Sequence, residues 1–247
     1  MLNYKIIGDG KPVVWLHGYL ESSSMWEVFP LEKLPFQSIL IDLPGHGVSP
    51  LGKIDCSITS VAREVSYTLD CLEIDTIAII GHSLGGYVAL ELQKLRNNQG
   101  KICLFHSNFW EDDPHKKTDR SRVIELVKTN KTFFLKEAIP NLFIQPENHS
   151  EAIAKLLSEA LKISSETISF YAAAMRDRVS NEAYILKNRN KLFVIQGKLD
   201  RIIPMNLMLA YQNEIEIKIL EKSGHMGHIE ESIQAFLLIQ QYLSFYV

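Results

Sequence analysis

The sequence predicts an α/β fold with a mostly parallel central sheet flanked by helices, and three observations predict it. Short apolar runs alternate with helical patterns along the chain, as strand–helix–strand units do. Most of those runs are apolar throughout instead of alternating with polar residues, as expected for strands covered on both faces. One run, Ile77-Ala78-Ile79-Ile80, leads directly into Gly81-His82-Ser83-Leu84-Gly85-Gly86 and then into the helix-like stretch ending at Leu95. That last stretch sets a serine at a tight strand-to-helix turn.

Taken in order, Tyr4-Lys5-Ile6-Ile7 alternates and precedes Gly8-Asp9-Gly10, so it reads as an edge strand hairpinned onto the next run. The further strand runs are Val13 to Leu16, Ser38 to Ile41, Ile77 to Ile80, Ile102 to Phe105, Leu192 to Ile195 and Ile215 to Leu220. Helical patterns lie near 60–72, 84–97 and 231–244. From about 110 to 185 the alternation stops. Val123, Ile124 and Val127, then Ile153, Leu156, Leu157, Ala160 and Leu161, recur at helical spacing, and Pro114, Pro140 and Pro146 divide the segment into short helices. The expected organisation is a core of residues 1–109 and 186–247 with a helical cap, 110–185, inserted between two core strands. Such a cap would lie over the sheet's carboxyl ends, where open α/β sheets bind ligands.

Composition narrows the function. The chain has 247 residues, 46% of them hydrophobic and 22% charged, which suits one sizeable domain with an ample core. The net charge is −3 and no long basic run occurs; Lys116-Lys117 reads as a solvated helix start, so nucleic-acid binding is disfavoured. Cys56, Cys71 and Cys103 are too few and too widely spaced for a disulfide framework or a CxxC metal site. The start of the chain lacks the pattern of a signal peptide, and no segment approaches the roughly 18 apolar residues of a membrane span. A cytoplasmic protein without membrane contact is the expectation.

The glycines flanking Ser83 suit an elbow in which a side chain at 81 or 85 would collide with neighbouring backbone or resist positive φ. The serine hydroxyl then stands clear of the backbone. A serine nucleophile needs a base to take its proton, a carboxylate to orient that base, and donors for the oxyanion. Downstream, the run from Leu192 ends at Gly197, with Asp200 three residues later. The run ending at Leu220 is followed by Ser223-Gly224-His225-Met226-Gly227-His228. All three candidates sit after strands, so they can converge on one rim. Spacing alone leaves His225 and His228 both open as the base, and Asp112 and Asp113, after an earlier strand, open beside Asp200 as the acid.

These motifs together resemble the α/β-hydrolase superfamily, in its branch of small capped cytosolic serine esterases. That branch also contains biotin-pathway methyl ester esterases and hydrolases of carbon–carbon bonds. The resemblance is carried by His17-Gly18, Asp42-Leu43-Pro44-Gly45-His46-Gly47-Val48-Ser49, the elbow, Gly197-Lys198-Leu199-Asp200 and Ser223-Gly224-His225; the 110–185 segment carries little of it. It implies an α/β-hydrolase fold with Ser83 as nucleophile, Asp200 as orienting acid and His225 as general base. It also implies an oxyanion hole from the backbone N–H groups of Tyr19 and Leu84, with no cofactor and no metal. His228 is then a supporting or helix-start residue, and Asp112 and Asp113 are solvated acids at the cap entrance. His17, His46 and His82 would orient loops by hydrogen bonds. His106-Ser107 reads either as a buried pair or as a hinge near the site. The implied activity is hydrolysis of a carboxylic ester of a small or medium acyl substrate. Carbon–carbon bond hydrolysis, a menaquinone-pathway-type lyase with the same triad, and a slow or non-catalytic ligand-binding protein are the alternatives. A serine at the elbow disfavours dehalogenase and epoxide hydrolase chemistry. Substrate identity and oligomeric state are not legible.

Overall fold

Apolar runs too short for helices pair into one sheet in a computed structural model of the chain, which describes residues 1–75, 77–98 and 100–246. The strands are β1 (Tyr4–Ile7), β2 (Lys11–Leu16), β3 (Phe36–Ile41), β4 (Ala78–His82), β5 (Ile102–Phe105), β6 (Leu192–Gly197) and β7 (Glu216–Leu220). Their order across the sheet is β1-β3-β2-β4-β5-β6-β7. Every pairing from β3 to β7 is parallel, so the carboxyl ends of β2 to β7 share one edge. The chain moves from β2 outward to β3, then returns to β4 on the other side of β2. That reversal opens a crevice between the loops that follow β2 and β4, where sheets of this kind bind ligands.

One expectation fails here. β1 does not hairpin onto β2; it pairs antiparallel with β3, Tyr4 opposite Ile41 and Ile7 opposite Ser38. Both edges of β2 are taken by the parallel partners β3 and β4, so β3 offers the free edge. The positive φ angles of Gly8 and Gly10, 76° and 105°, let the chain turn back across that strand.

The fully apolar strands are explained by cover on both faces. Val14, Leu16, Ile39 and Ile79 pack on one side against α1 (Ile58–Cys71) and α2 (Leu84–Leu95). Between them, Val13, Trp15, Leu40 and Ile80 face the other cluster, which holds Trp26. Helix α1 forms because Ile58, Val61, Ala62, Val65 and Leu69 align on one buried stripe, and the Ser57 hydroxyl caps it by accepting from the Ser60 amide.

Between β5 and β6 lie α3 (Pro114–Ala138), α4 (Ser150–Ala160), α5 (Ser165–Arg176) and α6 (Glu182–Lys187), with no strand among the described residues. Pro114, Pro140 and Pro146 each open a helical element, where a missing N–H costs nothing. α3 is longer than periodicity suggests, but its backbone leaves helical geometry at Asn130 (φ −146°, ψ 62°), which splits it into two rods. A separate apolar cluster joins Val127, Leu135, Ile139, Ala160 and Ile168 to Leu20, in the loop after β2. These helices are therefore tied to the sheet's carboxyl edge. Then follow α7 (Met205–Leu209), α8 (Gly227–Glu230) and α9 (Ser232–Ser244), and the last packs Leu238, Ile239 and Tyr242 onto the Trp15 face. Among the described residues no helix is long and apolar enough to cross a membrane.

Candidate active site

Ser83 sits between β4 and α2 with φ 48° and ψ −113°, a positive φ that β-carbon sterics disfavour outside glycine. The flanking glycines make that turn possible by close approach, not by positive φ of their own. A Cβ on Gly81 would run into the Gly85 backbone, and one on Gly85 would meet the Leu16 and His17 carbonyl oxygens, the latter at 2.7 Å. Gly85→Ala is accordingly expected to lower the unfolding free energy by about 1–3 kcal/mol through overpacking. The check is a lower urea midpoint at an unchanged m-value. The elbow is also held from β5, where the Ser107 hydroxyl donates to the Ser83 carbonyl at 2.7 Å.

His225 and Asp200 come to the same rim from the loops after β7 and β6. His225 Nε2 lies 2.9 Å from Ser83 Oγ, and His225 Nδ1 lies 2.8 Å from Asp200 Oδ2. Asp200 Oδ1 accepts from the Ile202 and Ile203 amides at 2.8 and 3.0 Å, and Oδ2 accepts from Gln196 Nε2 at 3.0 Å. Burial alone would raise the Asp200 pKa. The charge of His225 and the hydrogen bonds from His106 and His225 outweigh it and hold the carboxyl far below the usual carboxylate range. The acid is thus ionised, and its Oδ2 fixes the His225 ring with Nε2 facing the serine.

One ring nitrogen each of His106 and His225 and an Asp200 carboxylate oxygen lie within 4.8 Å of one another, a spacing that could hold a cation. The amide donors around Asp200 already occupy its oxygens, so the cluster reads as a hydrogen-bonded acid. His106 is fully buried, with Nδ1 3.3 Å from Asp200 Oδ2; burial lowers its pKa to about 4, leaving the ring neutral. The His106-Ser107 alternative thus resolves to a buried pair, one side chain on the acid and the other on the elbow.

Behind His225 lies a second buried pair. His82 Nδ1 is 2.6 Å from Glu21 Oε2, and His82 Nε2 donates to the His225 carbonyl at 3.0 Å. A carboxylate and a carbonyl both accept, so this ring needs protons on both nitrogens. The electrostatics agree: burial disfavours the charges, but each partner's charge prevails, raising the His82 pKa and lowering that of Glu21 to about 2. Glu21 Oε2 also accepts from the Gly18 amide at 2.8 Å, which steadies the loop after β2. His17 adds to that loop as a neutral ring: Nε2 accepts from the Leu43 amide at 2.9 Å, so Nδ1 carries the proton it gives to Gly18 O.

His228 does not meet the serine. It is buried with Nε2 3.8 Å from Glu21 Oε1, and burial lowers its pKa to about 3. Asp112 corrects an expectation. It is buried, not solvated, and is shared by Arg178 Nη1 at 2.8 Å and Arg120 Nε at 3.1 Å. Asp113 does stay exposed, and its side chain caps α3 by accepting from the Lys116 amide at 2.8 Å. Lys116 is half-buried, not a solvated helix start, and its Nζ donates to the Ile202 carbonyl at 2.6 Å.

The Leu84 amide opens α2, among the first-turn N–H groups that a helix leaves unpaired. The Tyr19 amide follows Gly18 on the opposite wall of the crevice, and the Tyr19 hydroxyl is tied down by donating to Ile168 O at 2.8 Å. A cavity of about 260 Å³ opens over Ser83, with Tyr19, Lys116, Arg120, Phe134 and His225 among its walls. Sequence reading missed Glu21 and Arg120 and placed Lys116 in solvent. Glu21 left one signal, a lone acid three residues after Gly18, directly before Ser22-Ser23-Ser24.

Residues 13–237 match the model of the "Alpha/beta hydrolase family". Among curated relatives, a 2-succinyl-6-hydroxy-2,4-cyclohexadiene-1-carboxylate synthase of Serratia proteamaculans is 33% identical over 36% of this chain and 36% of that protein. The chain thus spans about a third or less of the length of the first curated relatives it matches. The synthase of the same name from Yersinia pseudotuberculosis is 25% identical over 89% of this chain and 82% of that protein. Among solved structures, a thermophilic esterase of Thermogutta terrifontis, with malate bound, superimposes with TM-score 0.90 at 25% identity. It covers 99% of this chain and 93% of its own.

Proposed function

The chain belongs to the alpha/beta hydrolase family, and on that premise we propose that it hydrolyses a carboxylic ester of a small or medium acyl substrate through an acyl-enzyme on Ser83. The observation that carries this reading is the continuous line Ser83 Oγ, His225 Nε2, His225 Nδ1, Asp200 Oδ2, with steps of 2.9 and 2.8 Å, opening on the cavity above the elbow.

In this mechanism His225 Nε2 takes the Ser83 proton as Oγ attacks the ester carbonyl. The Tyr19 and Leu84 amides hold the tetrahedral oxyanion, an interaction worth about 3–4 kcal/mol per donor. His225 then gives its proton to the leaving alcohol, and the ester's C–O bond breaks. Water enters, loses a proton to the same nitrogen and attacks the acyl carbon; Ser83 leaves with that proton and the acid is released. Asp200 stays ionised throughout and balances the imidazolium. Likeness to an esterase across nearly the whole chain supports the reaction class.

Likeness to the synthase supports a second reading, in which the same three residues promote carbon–carbon cleavage or elimination. Covalent chemistry separates the two. A panel of 4-nitrophenyl esters of graded acyl length is expected to give a burst of nitrophenol, and a fluorophosphonate is expected to block turnover by phosphonylating Ser83 with loss of fluoride, which adds the phosphonyl group's mass to the peptide that contains Ser83. Inactivity on every ester together with no label on Ser83 would overturn the ester reading.

A further inference from the structure

The walls of the cavity over Ser83 carry more positive charge than their acids neutralise. Lys116 and Arg120 both face it from α3. The acid on its walls, Glu21, is committed to His82 and to the Gly18 amide. Asp200, beneath the rim, is committed to His225 and its amide donors.

Asp112 is the buried acid beside the two cations, and it is divided. One oxygen serves Arg178, which lies outside the cavity, bonds the Met175 and Trp110 carbonyls and stacks 4.1 Å over the Tyr87 ring. The other oxygen serves Arg120 through Nε alone. Among the described residues, the terminal nitrogens of Arg120 have no protein partner. Asp113 caps α3 at its exposed end, and Glu111 pairs with Lys117, so neither supplies the missing charge. The Lys116 ammonium has a neutral carbonyl as its hydrogen-bond partner. Burial pushes the Lys116 pKa down, Asp112 opposes this, and the neighbouring Arg120 and Arg178 push it down further. Two cations crowded about one divided carboxylate, on an otherwise largely apolar cavity, form a receptor for an anion. A guanidinium edge suits a carboxylate in particular, because its donors form a planar fork.

We propose that the substrate of this site is an ester that carries a free carboxylate, bound by Lys116 and Arg120 while Ser83 attacks the ester carbonyl. The inference rests on the ester-hydrolase reading of the same cavity. It makes Lys116 and Arg120 specificity-determining residues, and the natural substrate a monoester of a dicarboxylic acid or the ester of a hydroxy acid.

The test compares charged esters with neutral partners of similar shape: 4-nitrophenyl hydrogen glutarate against 4-nitrophenyl pentanoate, and 4-acetoxybenzoate against 4-acetoxybenzamide. The first pair places the charge on the acyl side, the second on the alcohol side. In at least one pair the charged ester is expected to have the higher kcat/KM by about tenfold, the worth of one charge-assisted hydrogen bond. Lys116→Met and Arg120→Gln are each expected to reduce that ratio by about tenfold. Lys116→Met leaves the Asp112 pairs intact, so it reads binding without disturbing them. Equal rates within both pairs, or ratios unmoved in both variants, overturn the proposal and leave the esterase reading standing. Calorimetric titration of glutarate into Ser83→Ala separates the opposite case. If none of the esters is cleaved faster than by Ser83→Ala, the esterase reading fails; glutarate that binds Ser83→Ala and not Ser83→Ala/Arg120→Gln still upholds the anion site, and glutarate that binds neither overturns it.

Discussion

Replacing Ser83 with alanine is expected to lower kcat for 4-nitrophenyl ester hydrolysis by about 10,000-fold or more, and His225→Ala by a similar factor. Each variant removes one end of the 2.9 Å contact through which the proposed proton transfer runs. Without His225 the serine stays a neutral alcohol, a weak nucleophile; without Ser83 the base has nothing to activate within reach but water. Because the two act as a unit, the double variant should lose little more than either single one. His228→Ala is the informative control. Its ring packs among Trp26, His82 and Phe105, so truncation should lower the melting temperature while changing kcat by less than about tenfold. Steady-state kinetics with circular-dichroism melting on each variant reads both quantities. If His225→Ala kept a tenth of wild-type activity, the base would have to be another residue.

The parts of this site legible in the sequence share one property: each is declared by its own few neighbours. Ser83, Asp200 and His225 all follow apolar runs of strand length within a handful of residues, and glycine marks each turn. A parallel sheet then does the rest, because it places every strand's carboxyl end on one edge. The strand runs were legible for the same reason; burial on both faces leaves them uniformly apolar. What escaped depends on pairs distant in sequence. Glu21 and His82 are separated by 61 positions, and neither one's surroundings announce the other. Asp112 looks like any exposed acid until Arg178, in the loop between α5 and α6, folds over it. Lys116 looks solvated for the same reason, since the carbonyl that anchors it lies 86 positions on. The partner of β1 was misread because an alternating strand beside a glycine turn specifies which face is buried, not which strand edge stands open. The helical segment between β5 and β6 follows the same division: periodicity gives its helices, while the side chains it turns toward Ser83 emerge only from how those helices cross.

Glu21→Ala is expected to cost about 3–5 kcal/mol of folding stability, because it strips a buried imidazolium of its counter-ion and leaves the Gly18 amide without its acceptor. Glu21→Gln should cost less but cannot restore the wild-type arrangement. One carboxylate oxygen accepts from both His82 and Gly18, and a Gln oxygen in that place leaves the His82 cation unneutralised. The pH dependence distinguishes this ion pair from ordinary packing. The Glu21 pKa falls from 4.5 to about 2 on folding, so its share is present above pH 4.5 and is lost as pH falls toward 2. The His82 pKa is raised above 6.5 on folding, so its share is full below pH 6.5 and is lost as pH climbs through the raised value. The coupling energy of a Glu21→Ala, His82→Ala double-mutant cycle should therefore be greatest between pH 4.5 and 6.5 and decline on both sides. Activity should respond as well, since His82 Nε2 holds the His225 carbonyl and releasing it lets the imidazole drift from Ser83. Misplacement on that scale can lower kcat by up to about a hundredfold. Urea titrations across the pH range, with kcat measured on the same variants, check both statements. A coupling energy that stayed flat with pH would mean that the pair is held as neutral partners and that the charge assigned to His82 is wrong.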